Sequence, residues 1–240
     1  MMKNIVLATA FTFALGTTTA QAQFFEGFSG EAALTGSKTT GNTDTTDAGL
    51  ALKLEKAGEN WTHKVKASAD FGESNDVTNK KRYALGYQID RQLTDRSYVY
   101  GNADYFSDDF GSYQEGYFLG GGYGYSVLVD SPVTWDLEAG LGFRSQKEQG
   151  VLGVREDELA ARYTSDFDWV FNDNVSLYND TELTYAQSDT NIWNETGITS
   201  QIAGNLAARV SFRVDHHTDV PVGIEKTDTI TRVGIVYTMK

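Results

Sequence analysis

Between Val133 and Phe143 every second residue is apolar: Val133, Trp135, Leu137, Ala139, Leu141 and Phe143. Thr134, Asp136 and Glu138 stand between them, and Arg144 continues the polar set. A period of two places the two sets on opposite faces of an extended strand, whereas a helix would repeat every 3.6 residues. No other feature narrows the possible folds as much, because the same period recurs along nearly the whole chain.

Before this segment, strands are expected at about 28–37 and 47–55, the second with Leu50, Leu52 and Leu54 against Lys53 and Glu55. The third sets Trp61, His63 and Val65 against Thr62, Lys64 and Lys66. The fourth sets Tyr83, Leu85, Tyr87 and Ile89 against Arg82, Gln88 and Asp90. The fifth covers about 97–106. The sixth carries Tyr117, Leu119, Tyr123, Tyr125 and Val127 opposite Gly120, Gly122 and Gly124. After the seventh, already described, the eighth alternates Leu159, Ala161, Tyr163, Phe167 and Trp169 with Glu158, Arg162, Asp166 and Asp168. The ninth sets Val175, Leu177, Leu183 and Tyr185 against Tyr178, Asp180 and Glu182. The tenth, about 195–202, is the weakest, with little besides Ile198 and Ile202. The eleventh alternates Leu206, Ala208, Val210, Phe212 and Val214 with Arg209, Arg213 and Asp215.

The last stretch, Thr227 to Lys240, alternates Val233, Ile235 and Tyr237 with Arg232, Gly234 and Val236. It has the look of the closing strand of an outer-membrane barrel, except that Met239 stands where a final aromatic is usual. About twelve strands joined by consecutive hairpins give an all-β, up-and-down antiparallel order. Turns after even-numbered strands read as tight and those after odd-numbered strands as longer, with loops expected over 73–79, 108–112, 147–155, 188–194 and 216–226. Short turns on one side and longer loops on the other are the habit of outer-membrane barrels. Trp61, Trp135 and Trp169 fall beside the short turns on the apolar parity, as an interfacial aromatic girdle would.

Alternation alone does not say whether the apolar face meets lipid or a core, since a soluble sandwich or barrel alternates too. Twelve strands would enclose too wide an interior for a soluble core, because eight already leave just enough room for side chains or one small ligand. Many strands also exceed the roughly 9–11 residues that span a bilayer. These points favour a transmembrane barrel. Twenty-four glycines, two prolines and thirteen each of Tyr and Phe suit long uninterrupted strands.

Met1 to Asn4 is a short basic start, Ile5 to Gly16 an apolar core and Ala20-Gln21-Ala22 an A-x-A cleavage pattern. Residues 1–22 are therefore expected to be a signal peptide, with the single barrel domain over 23–240 and export through the periplasm to the outer membrane of a Gram-negative cell. The chain has no cysteine, which excludes disulfides, a lipoprotein anchor and thiol metal sites. A formal charge of −13 argues against nucleic-acid binding.

The polar face would then line the lumen, with Lys53, Lys64, Lys66, Arg82, Arg144, Arg162, Arg209, Arg213 and Arg232 among Glu55, Asp70, Asp90, Asp104, Asp136, Glu138, Glu158, Asp166, Asp180 and Glu182. Such a mixture predicts ion pairs across a narrow, wet interior rather than one sign around a selective constriction. Arg232 is expected near Lys53 or Glu55 across the barrel seam. Glycines 120–124 are expected to face a crowded lumen or relieve a bend. No helix pattern follows them, as a phosphate loop would require.

The first hairpin, Gly36-Ser37 with Gly41-Asn42-Thr43-Asp44, and the last, Glu225 to Thr229 with Val233 to Tyr237, resemble the YdiY-like family of salt-induced outer-membrane proteins, a domain-of-unknown-function family. The resemblance runs from about Phe28 to Tyr237. It implies an outer-membrane location and a role in salt or envelope stress, and it carries over no catalytic residues. The lipid bilayer and the barrel-assembly machinery, which would read the C-terminal strand, are the partners to expect. The oligomeric state stays open.

No catalytic, cofactor-binding or metal-ligating residues are assigned. Asp215, His216, His217 and Asp219 could meet a metal only if a loop folded back on itself. A lipase on the outer wall would need a serine beside His63, and Ser68 has the opposite parity. The lumen carboxylates need a cleft before a glycosidase is worth considering. The leading function is a non-enzymatic outer-membrane barrel. A weakly cation-preferring small-solute or ion channel comes second and an outer-membrane hydrolase third.

Overall fold

The computed structural model describes residues 27–39, 45–130, 132–150, 153–220 and 225–239. The expected signal peptide, Gly41 to Asp44, Pro221, Gly223 and Lys240 lie outside the described residues. The described residues contain no helix. They form twelve antiparallel strands: β1 Ser29–Thr39, β2 Thr45–Ala57, β3 Trp61–Ser74, β4 Val77–Thr94, β5 Ser97–Asp108, β6 Tyr113–Leu128, β7 Val133–Glu148, β8 Arg155–Asn172, β9 Val175–Ala186, β10 Thr190–Ala203, β11 Leu206–His217 and β12 Thr227–Met239. Each pairs with its sequence neighbours, and β1 pairs with β12, so the sheet closes into a barrel with no free edge. The all-β, up-and-down, twelve-strand expectation is met.

The barrel is apolar outside and charged inside. Leu34, Leu85, Leu119, Leu141, Leu159 and Val233 project from the outer wall, Leu159 with 82% of its surface exposed. Asp90, Glu138, Arg144, Arg162 and Asp180 are buried on the inner wall. The single buried apolar cluster among the described residues is small: Ala33, Ala207 and Val236, with Ala51 against them, at the inner side of the seam. Aromatic side chains ring both ends of the outer wall. Trp61, Trp169 and Tyr237 stand near the termini, and Phe71, Tyr83, Tyr105, Tyr117 and Tyr185 toward the other end.

The end that holds the termini is closed by tight turns, such as Asp95-Arg96, Asp173-Asn174 and Gly204-Asn205. The opposite end departs from expectation at two hairpins, β3–β4 and β9–β10. Instead of a loop over 73–79, β3 runs to Ser74 and β4 begins at Val77. Asn75 and Asp76 make the turn with φ of 51° and 62°. Asn and Asp tolerate the left-handed region, and two such residues match the twist of the flanking strands.

Two further boundaries move. β10 begins at Thr190 rather than Glu195, because its outward residues include Asn194 and Thr196 and so hide the apolar period. β11 continues through His216 and His217. A bulge between Ser126 and Leu128 ends the parity of β6, so Val127 does not continue the Tyr123, Tyr125 series.

Gly120, Gly122 and Gly124 of β6 and Gly140 and Gly142 of β7 face the crowded lumen, as expected for β6. Gly120 is opposite Gly142, and Gly122 opposite Gly140. A Cβ on Gly142 would come 2.4 Å from the Phe118 ring, one on Gly140 2.5 Å from the Tyr100 hydroxyl, and one on Gly124 2.2 Å from the Tyr98 ring. The rings of Phe118, Tyr98 and Tyr100 thus lie against the wall in space that side chains would otherwise fill.

Candidate functional site in the barrel lumen

Backbone register sets one acid against another across the inner wall. Asp136 on β7 is opposite Asp166 on β8, Asp166 is opposite Asp180 on β9, and Asp180 is opposite Glu195 on β10. Like charges directly opposite each other destabilise a sheet. Side chains from other strands supply the answer. Lys53 Nζ on β2 reaches Asp180 Oδ2 at 2.7 Å, and Arg232 on β12 reaches Glu195 at 3.3 Å. Ser126 donates to Asp136 Oδ1 at 2.5 Å.

Two of the ion pairs strap walls that face each other across the bore: Lys53–Asp180 joins β2 to β9, and Arg82–Asp215, at 3.5 Å, joins β4 to β11. Gln88 on β4 adds a neutral tie, 2.7 Å to Glu138 on β7. Glu138 also accepts from Tyr98 at 2.9 Å and Thr164 at 3.2 Å. Arg162 meets Glu182 at 2.7 Å, and Lys64 meets Asp90 at 2.8 Å. Charges withdrawn from water need such partners, since an isolated one costs far more than its pairing returns.

Tyr178 ties the Lys53 strap to Glu195 and Arg209. Its hydroxyl donates to Glu195 at 2.7 Å, while Lys53 Nζ and the Arg209 guanidinium lie 5.3 and 4.8 Å from its ring centre. Gly197 is opposite Tyr178 in register, and a Cβ there would come within 2.2 Å of the ring. Arg209 in turn grips Glu31 with two bonds, of 2.6 and 2.7 Å. These two stand on β11 and β1 with Gly234 of β12 in register between Arg209 and Thr35. The side-chain-free position leaves the inner path across β12 clear.

The expected lumen charges all fall on inner-wall parity, but their pairing was not visible in the sequence. Arg232 does not meet Lys53 or Glu55. It bonds Asp70 at 3.2 Å and Glu195 at 3.3 Å, because register puts Arg232 opposite Ser211 in the half of the barrel away from the termini, whereas Glu55 sits beside the β2–β3 turn. Glu31, Trp193 and Asp189 were missed. Trp193 is inside, with the Arg213 guanidinium 4.7 Å from its ring centre. Carrying the parity of Glu195 two residues back would have found it.

Asp189, in the β9–β10 turn, is a buried hub at the loop-side mouth. His217 Nδ1 lies 2.5 Å away, Thr218 Oγ1 donates at 3.2 Å and the Asp219 amide at 3.0 Å. Arg144 donates to its carbonyl at 3.0 Å and to Glu158 at 2.6 Å. Burial pushes the Asp189 carboxyl up, but the His217 bond, the Asp219 amide and the Arg144 charge together hold it below the ordinary range. His216, the next residue, points to the other face and meets Thr227 at 2.7 Å. Alternation along β11 therefore separates the two histidines. Likewise His63 is outside, 2.7 Å from the Tyr87 hydroxyl, and Ser68 is inside, so that pair is not assembled.

The strap residues Lys53, Asp180, Arg82 and Asp215 line a cavity of about 390 Å³, together with Phe118, Tyr178 and Trp193. A second, of about 40 Å³, lies beyond Arg162, Glu182 and Trp193, which line both.

A family model described as a protein of unknown function, DUF481, matches residues 32–239. The uncharacterized protein YdiY of Escherichia coli K12 is 24% identical over 201 residues, covering 83% of this chain and 79% of the relative. Among solved structures, the NanC porin is similar with a TM-score of 0.55 at 12% identity, covering 87% of this chain and all of that one. The COG4313 outer-membrane channel of Pseudomonas putida F1 gives 0.54 at 9% identity, over 88% and 95%. The translocator domain of the autotransporter NalP of Neisseria meningitidis gives 0.50 at 15%, over 91% and 94%. All three share the closed-barrel fold.

Proposed function

The chain belongs to the DUF481 family, and we propose that it serves in the outer membrane as a non-enzymatic barrel whose bore is braced shut rather than open. The observation that carries this is the pair of straps, Lys53–Asp180 and Arg82–Asp215, tying walls that face each other. The predominantly apolar outer wall supports the membrane location, since a water-exposed belt of that extent would drive aggregation. Strands of 11 to 18 residues are long enough to span hydrocarbon. The basic-apolar-small leader supports export through the periplasm, and the closing strand is the segment the assembly machinery would engage. Tight turns at the terminal end support that end facing the periplasm. The role in salt or envelope stress rests on the family resemblance.

Planar-bilayer recording of the purified protein tests the braced bore. The expected result is no stable conductance from the wild type and the appearance of steps in Lys53→Met/Arg82→Met. Stable, ion-selective steps from the wild type would overturn it and favour a second reading, a small-solute channel with weak cation preference, for which the 390 Å³ cavity is the supporting observation. Location is tested by fractionation and by heat-modifiable migration on a gel. Recovery as a soluble periplasmic monomer would sink it.

A further inference from the structure

Among the described residues, the outer wall breaks its apolar rule most plainly across β9 and β10. Along β9 and β10 the outward pairs run Leu177 with Ile198, Asn179 with Thr196, Thr181 with Asn194, and Leu183 with Ile192. An apolar pair thus stands on each side of two polar pairs. Ser165 on β8 is opposite Thr181, and Phe167 opposite Asn179. On the other side Phe212 of β11 is opposite Thr196. Ser165, Asn179, Thr181, Asn194 and Thr196 are therefore a polar island halfway along the strands, enclosed by apolar side chains. This island is also why β10 reads so weakly in the sequence.

Four of its five side chains bond one another in a ring, and the fifth, Ser165, accepts from Trp135 Nε1 at 3.0 Å. Asn179 Nδ2 donates to Thr196 Oγ1 at 2.6 Å and to Asn194 Oδ1 at 3.2 Å. Asn194 Nδ2 donates to Thr181 Oγ1 at 2.7 Å, and Thr181 back to Asn179 Oδ1 at 3.3 Å. Thr196 donates to Asn194 Oδ1 at 3.3 Å. The ring lowers the cost of holding amides against hydrocarbon, but it does not explain their presence, since Leu or Val at the same positions would continue the belt at no such cost. An amide nitrogen has two protons, and Asn194 uses one in the ring.

We propose that this island is the contact through which two copies of the barrel pair side by side in the bilayer. The inference rests on the membrane reading above. The occupant follows from the chemistry. Every group is neutral, and amides and hydroxyls both donate and accept, so the patch is complementary to itself. Lipid headgroups sit at the barrel ends, not at mid-height. Two copies inserted the same way round are related by a two-fold axis along the membrane normal, which sets each island against its own image. Small and polar side chains are what closely packed membrane contacts use.

The chain has no cysteine, so one introduced thiol reports proximity without touching the ring. Ile198→Cys, beside the island, is compared with Leu50→Cys on β2, both in membranes treated with a mild oxidant. The expected result is a disulfide-linked species of twice the monomer mass from Ile198→Cys and none from Leu50→Cys. Adding Asn179→Leu/Asn194→Leu to the Ile198→Cys background should slow cross-linking about tenfold. Equal cross-linking at the two positions, an unchanged rate in the leucine variant, or a product of another mass overturns the pairing. Fractionation of the same samples separates the two readings. Membrane-bound protein without cross-links removes the pairing alone, and soluble protein removes both.

Discussion

Lys53 on β2 and Asp180 on β9 meet at 2.7 Å across the bore, and the lysine arrives where Asp180 is flanked in register by Asp166 and Glu195. The two partners are therefore not equivalent. Removing Lys53 leaves a row of carboxylates without its cation, whereas neutralising Asp180 also removes two repulsions. Lys53→Met should cost about 1–2 kcal/mol, below the range for a fully buried pair because Lys53 is partly open to water. Asp180→Asn should cost less than half as much. Heat-modifiable gel migration across a temperature series gives the two midpoints, and equal losses would contradict the asymmetry.

The β6–β7 wall makes a prediction about size rather than charge. A Cβ on Gly122 would fall 2.2 Å from the Ala139 carbonyl oxygen and 2.6 Å from Gly140 Cα. Backbone cannot step aside as a side chain can, so Gly122→Ala should destabilise by about 1–3 kcal/mol. At Gly36 the nearest atom to a Cβ is 3.6 Å away, and Gly36→Ala should be close to neutral by the same melting measurement.

Asp189 gives the loop-side mouth an acid limit. Its folded pKa lies below the ordinary 3.8, so the unfolded chain takes up its proton first as pH falls. The stabilisation is fully present above about pH 4–5 and is lost as pH drops through the folded value. Protection factors of the β9–β10 turn amides, taken against the intrinsic exchange rate at each pH, should fall on acidification in the wild type. Asp189→Asn should show low protection factors already at pH 7 and little further acid dependence.

The four tryptophans divide by wall. Trp61, Trp135 and Trp169 have outward parity, while Trp193 is inside under Arg213. In liposomes containing brominated lipid the wild type should be quenched strongly. A variant with the other three changed to Phe, retaining Trp193, should be nearly insensitive. Strong quenching of that variant would mean that Trp193 meets lipid.

How much of this could be read from the chain depends on distance along it. Strand order, closure and the sign of each wall follow from parity, which is local: Val133 to Phe143 shows it without help. The Asn75-Asp76 hairpin was hidden because Glu73 to Asn79 is polar except for Val77, and length and polarity look alike in a loop and in a strand that emerges from the membrane. β10 was half hidden because Asn179, Thr181, Asn194 and Thr196 put polar groups on both its faces and its neighbour's. The partner of Arg232 could not be read at all. It depends on how far β12 is staggered against β10 and β3, and stagger is a property of the closed ring, not of any one strand.

The seam between the chain's two ends has the shortest ladder. β1 and β12 pair only from Gly30 with Met239 to Thr35 with Gly234, while β1 and β2 pair from Ser29 with Glu55 to Thr39 with Thr45. Bringing the ends together closes a loop that contains the whole barrel, which is the costliest loop the molecule can close and the one with the fewest main-chain bonds in return. The hairpins can form as each pair of strands becomes available, but the ring must fasten last. The paired hydrogen bonds of Arg209 to Glu31, 178 residues apart, then work as a clasp behind that fastening. Losing it should show less in the finished barrel than in how long the barrel takes to shut.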